Sequence, residues 1–160
     1  MKQITRTWIM ALLLILIVLL LIQRIRMLDD RKILTVYSGE NEVKILVELA
    51  QTEEERAMGL MGRENLKAGR GMLFYYPVAS RMSMWMKNML IPLDIVFINA
   101  HHQIIQIEEN VPPCKAADDT DCPRYTAKEP AIFVLEVPAN FSNQQGINIG
   151  DSVFLSPSFK

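Results

Sequence analysis

At 160 residues, with 17 basic and 18 acidic side chains and a formal net charge of −1, the chain can bury one core of ordinary size. Its basic residues are interleaved with acids, and no stretch clusters Lys and Arg as a phosphate-backbone partner demands, so nucleic-acid binding and a second sizeable domain are not expected.

The first element in chain order is an uncharged run from Thr7 to Gln23. It holds roughly fifteen consecutive apolar residues, short of the ~20 that cross a bilayer core unaided. Thr7, Trp8 and Gln23 lengthen it, and Arg6, Arg24 and Arg26 can snorkel to the interfaces. The Gln23-Arg24-Ile25-Arg26-Met27 segment is bulky and charged where a cleavage site needs small residues, so residues 1–30 are expected to form an uncleaved membrane anchor. A soluble helix would show a polar face, and this run has none. Residues 31–160 then form the folded domain. Lys2 and Arg6 against Arg24, Arg26, Arg31 and Lys32 tilt the charge count slightly towards a cytoplasmic domain.

Beyond the anchor the period is mostly two. Val43, Ile45, Val47 and Leu49 alternate with Lys44 and Glu48, and Ile95, Phe97 and Ile104 to Ile107 form two apolar runs around an Asn99-Ala100-His101-His102 turn. Strands are also expected at 131–137, AIFVLEV, and at 152–155, SVFL. Two helices complete the list. One starts at Thr52, an N-cap with Glu55 three residues on, and stops near Gly62; the other follows Pro138, runs through Asn140 and Gln144, and ends at Gly146. About eight short strands and two short helices imply a mainly β (α+β) domain, a small, mainly antiparallel barrel or sandwich.

The segments GLMGRENL, GMLF and MSMWMKNMLIPLDIVF carry a more specific signal. Gly59, Leu60, Met61 and Arg63, then Gly71, Met72, Leu73 and Phe74, then Trp85, Met86, Lys87 and Asn88, and finally Leu93, Asp94 and Phe97 stand in the order of the DUF192 pattern, so most of the chain beyond residue 40 resembles that family. The resemblance implies a small β-rich fold and supplies no ligand or partner. Met82, Met84, Met89 and the His101-His102 pair depart from the pattern.

Cys114 and Cys122, the two cysteines of the chain, bracket the polar loop KAADDTD. A disulfide closing that loop would contribute about 2 to 3 kcal/mol and belongs in an oxidising compartment, which places the domain on the extracytoplasmic side, in the periplasm or at the cell surface, against the slight charge bias. A zinc site completed by His101 and His102 lacks tight Cys-x-x-Cys spacing, and two free thiols are the remaining alternative.

Arg63 past the first helix, Trp85, Lys87 and Asn88 after an apolar strand, and Asp94 after the Pro92-Leu93 turn could converge from three turn regions. The cations, the amide and the aromatic platform would suit an anionic or saccharide-like small molecule. The plainer alternative pairs Asp94 with a cation or with turn backbone. No Ser-His-Asp order and no Cys-His pair at a loop apex is present; an acid/base couple of Asp94 with Glu108 or Glu136, acting on envelope saccharides, is the enzymatic alternative. Seven of the ten methionines fall between Met58 and Met89, and Met82, Met84 and Met86 share one strand face. Their thioethers suit Cu(I), but such alternation more simply marks a buried strand face, and core packing is the favoured reading. The expectation is therefore a membrane-anchored, non-catalytic ligand-binding or accessory module, with no resident metal or cofactor and with protein partners unspecified.

Overall fold

The computed structural model describes residues 12–20 and 31–156. The chain divides into two compact units, Met1–Arg31 and Lys32–Lys160. In the first, residues 12–20 are helical and expose their apolar side chains. Among the described residues no helix is long and apolar enough to cross a membrane; the rest of the expected 1–30 anchor lies outside them.

The second unit contains nine described strands: β1 Arg31–Ser38, β2 Asn41–Ala50, β3 Arg70–Ser80, β4 Ser83–Trp85, β5 Leu93–Ile98, β6 Ile104–Val111, β7 Arg124–Thr126, β8 Ala131–Pro138 and β9 Ser152–Leu155. Seven form one sheet in the order β6-β5-β8-β3-β2-β1-β9, and β4 pairs with β7 in a small antiparallel ribbon. The large sheet curls into a half-barrel. Near its ends Gln103, just before β6, bridges Ser152 of β9, and Ile104 N–H donates to the Asp151 carbonyl at 2.9 Å.

One pair breaks the antiparallel pattern. β2 and β3 run parallel, with Leu46 opposite Arg70 and Ala50 opposite Phe74, because the intervening helix carries the chain back before β3 begins. That helix, α1, spans Glu53–Met58. Its start is local chemistry: Thr52 Oγ1 accepts from Glu55 N–H at 3.1 Å while the Glu55 carboxylate accepts from Thr52 N–H at 2.9 Å. It stops earlier than the expected Gly62. Gly59 leaves the helix at φ +49°, and a β-carbon there would lie 3.2 Å from the Phe74 ring. The second helix, α2, is Phe141–Gln145 and ends at Gly146 in the left-handed region.

Both faces of the central strands are buried, which explains why β5 shows no polar alternation. One face carries Leu34, Val36, Ile45, Val47, Leu135 and Val137, closed over by α2 through Phe141. The other carries Met72, Phe74, Ile95, Phe97 and Val134 and is covered by Leu60 after α1 and by methionines around β4. Cys114 and Cys122 form a disulfide with Cα atoms 5.6 Å apart. The expected turn at residues 99–102 is present as well, with Asn99 Oδ1 accepting from His101 and Gln103 N–H at 2.9 and 3.0 Å.

Candidate functional site

The second core face is incomplete. Between the end of α1, β3, β8 and the β4–β7 ribbon it opens into a cleft of about 280 Å³. Leu60, Phe74, Tyr76, Met84 and Met89 supply apolar walls, Met58 and Met61 border it from the α1 end, and Trp85, Lys87, Arg56 and Arg124 add the polar rim. Glu136 lies within it.

The register explains why a carboxyl stands there. Glu48, Met72, Glu136, Ile95 and Glu108 are successive Cα partners across β2, β3, β8, β5 and β6, so they share one face of the sheet. Glu48 and Glu108 have hydrogen-bond partners on that face, whereas Glu136 sits between Met72 and Ile95, 4% exposed as a residue, and no hydrogen bond contributes to its electrostatics. Burial alone pushes its carboxyl from 4.5 up to about 8. A neutral acid is therefore held against the cleft at neutral pH. Burial also raises the Tyr76 hydroxyl, with Arg56 opposing and Glu136 adding to the shift, and that hydroxyl contacts Met84 Sδ at 3.8 Å.

At the rim, cations gather on one indole. The Arg124 guanidinium lies 3.9 Å from the Trp85 ring centroid and Lys87 Nζ lies 5.2 Å from it. The pairing of Trp85 with Arg124 across β4 and β7 fixes the first contact. Lys87 is ion-paired with Asp119 of the disulfide-closed loop, and Cys114 N–H ties that loop to the Met86 carbonyl at 2.9 Å. Arg124 has no carboxylate partner among the described residues. Arg56 lies 4.9 Å from the Tyr76 ring centroid and donates to the Gln51 and Tyr75 carbonyls.

The five residues expected to converge do not. Trp85 and Lys87 meet at this cleft. Arg63 lines a separate, more open depression of about 450 Å³ with Glu48, Glu54 and Met72, where its guanidinium is held by both Glu48 carboxylate oxygens, one of them at 2.7 Å, and is raised by that contact. Asn88 serves a turn: its backbone is left-handed at φ +55°, its carbonyl accepts from Gly62 N–H at 3.0 Å, and its amide lies 3.9 Å from Met61 Sδ. Asp94 is completely buried and accepts from Asn110, Asn140 and Ser142 N–H at 2.9, 2.8 and 2.8 Å. It pins two left-handed turns and caps α2 from another strand, since Asn140 makes no side-chain cap of its own. Asp94 thus has the plainer role, and the alternative acid/base couple with Glu108 or Glu136 does not form: both of those carboxyls are opposite Ile95 on one face, whereas Asp94, opposite Val137, lies on the other.

The methionines follow the core-packing reading. Met82, Met84 and Met86 are all buried in the second core, and only Met84 lines the cleft, with its sulfur already contacted by Tyr76. No cluster of His, Cys, Asp and Glu suited to a metal occurs among the described residues. Two residues central to the cleft, Arg124 and Glu136, were not singled out as binding residues. A charged residue inside the otherwise apolar AIFVLEV run was the available signal for Glu136, whereas Arg124 depends on a three-residue ribbon that sequence periodicity does not reveal.

Residues 34–155 match the profile of a protein family, DUF192, described as "Uncharacterized ACR". Two solved structures are similar to the chain. One is a candidate transcription regulator from Sinorhizobium meliloti 1021, 30% identical, with 79% of this chain and 94% of that chain covered and a TM-score of 0.72. The other is a protein of unknown function from Novosphingobium aromaticivorans DSM 12444, 32% identical, with 76% of this chain and 83% of that chain covered and a TM-score of 0.70. No curated protein sequence matches.

Proposed function

Because the chain belongs to the DUF192 family, whose description assigns no activity, its own geometry must supply the reading, and we propose that the domain is a non-catalytic module that binds a small organic anion in the Trp85 cleft. The observation that carries this is the placement of Arg124 and Lys87 on one indole at the mouth of an apolar cleft. A guanidinium stacked on an aromatic ring is pre-oriented and keeps its N–H edge for an acceptor, which suits a carboxylate or a phosphate. The same stacking argues against a sugar platform, since a saccharide ring would have to displace Arg124 from Trp85. The hydrophobic walls then take the apolar body of the ligand.

We also propose that residues 1–30 anchor the protein in a membrane and that the domain faces an oxidising compartment, a reading supported by the uncharged N-terminal run and the Cys114–Cys122 bridge. Ligand sensing at an envelope would be compatible with the regulatory description of the Sinorhizobium relative. An enzyme built on Asp94 is disfavoured because that carboxylate is consumed by three backbone donors. Hexanoate is a suitable probe, as it joins a carboxylate to a short apolar chain. Lys87→Met and Arg124→Met are each expected to weaken hexanoate binding about tenfold, as loss of a charge-assisted hydrogen bond does, with the melting temperature unchanged. Undiminished affinity in both variants would overturn the reading.

A further inference from the structure

Glu136 has no structural duty that accounts for its position. A carboxyl on a residue only 4% exposed normally has partners, because a buried polar group without one costs free energy, yet no hydrogen bond offsets the burial of this one, and it lines the open space of the cleft. Replacement by Leu or Met would complete the Met72 to Ile95 row at no polar cost. The carboxyl is also rigidly placed. It sits in the middle of β8 with strands paired on both sides, and β3 approaches it so closely that a side chain at Gly71 would come within 2.5 Å of the Glu136 carbonyl.

We propose that Glu136 donates a hydrogen bond to the bound ligand, so that the cleft selects small organic anions carrying a second, neutral oxygen acceptor such as a ketone carbonyl at the end remote from the charge. This rests on the anion-binding reading above and specifies the other end of the ligand. A ligand amine is the alternative partner for a carboxyl, but Arg56, Lys87 and Arg124 share the cleft and repel a cation, whereas a protonated carboxyl has a donor to offer. The other ionisable groups facing this region are Tyr76 on β3, Glu53 beside Arg56 on α1, Glu48 held by Arg63 on β2, and Glu108 bonded to Gln106 on β6. None of them contributes a hydrogen bond to Glu136, although Tyr76 is near enough to feel its charge.

The test compares 5-oxohexanoate with hexanoate, which differ by one carbonyl oxygen that can accept but not donate. Both flexible chains can adapt to the span of the cleft. Affinities of the full chain for each are measured by NMR titration at pH 6 and pH 9.5, and the ratio is read within each pH so that changes at the anion end cancel. The wild-type protein is expected to prefer 5-oxohexanoate about tenfold at pH 6 and to lose that preference at pH 9.5, where Glu136 is a carboxylate. Glu136→Gln, which keeps an N–H donor and does not titrate, should retain the preference at both pH values, and Glu136→Leu should show none at either. Equal affinities for the two acids in the wild type at pH 6, or a preference that persists in Glu136→Leu, would overturn the assignment while leaving anion binding standing. Absence of hexanoate binding at pH 6 would instead overturn the anion-binding reading itself.

Discussion

Asp94 and Glu136 lie on adjacent strands and use the same functional group in opposite ways. Asp94 satisfies three backbone N–H groups contributed from 16, 46 and 48 residues away, so nothing local in the sequence announces its role. Asp94→Ala should therefore cost about 3 to 5 kcal/mol in denaturant unfolding, since it strands several buried donors; a loss below about 1 kcal/mol would deny it this role. Glu136 has the reverse signature. Its folded-state carboxyl titrates near 8 against an ordinary value of 4.5, so the native state holds the proton more tightly than the unfolded chain. Stability is then fully present below about 4.5 and falls as pH rises towards 8, by up to roughly 4 kcal/mol if the whole shift is realised. Glu136→Gln should flatten the stability profile between pH 5 and 8 and exceed the wild type at the alkaline end, as thermal unfolding across that range would show. A wild-type profile that rises over the same interval would contradict the neutral, buried acid. Trp85 and Lys87 were legible as candidates because they interrupt an apolar stretch, and both line the cleft, whereas the same reasoning overreached to Asp94, which follows the Pro92-Leu93 segment but lies in β5 and is consumed by backbone donors.

Elements were legible where their chemistry is local. The Thr52–Glu55 capping box marks the start of α1, and Thr52→Ala should cost about 1 kcal/mol. Its end was misplaced because Gly59 and Gly62 are both plausible terminators by sequence, and the choice is made by the Phe74 ring packed against Gly59. The parallel β2–β3 pair was likewise invisible, since residue alternation along a strand does not encode its partner's direction. The disulfide is the element-scale link to the site. It closes the loop that delivers Asp119 to Lys87. Replacing Cys114 and Cys122 together by Ser should lower stability by about 2 to 3 kcal/mol through the unfolded state while leaving the fold intact. Thiol labelling of the native protein should find neither cysteine reactive.

At the scale of the whole molecule, a curled sheet buried on both faces has few places for an unpartnered polar group, and the gap between α1 and the β4–β7 ribbon is one of them. Length and composition indicated a single core, and the alternating runs indicated that it is β-rich and where most of its strands lie. The cleft itself depends on how a three-residue ribbon stands off the main sheet, which is a matter of tertiary packing. The proposed anchor is tested separately: the intact chain should remain with membranes after a carbonate wash, and release of a shortened soluble form would refute an uncleaved anchor. The claim that the Trp85 cleft binds anions is tested most directly by the methionine methyl NMR signals of the full chain during addition of hexanoate, because methionines line the cleft, the neighbouring Arg63 depression and the closed core. The account predicts that Met61, Met84 and Met89 shift while Met72, Met82 and Met86 stay in place; movement confined to Met72, or no movement at any of the six, would contradict it.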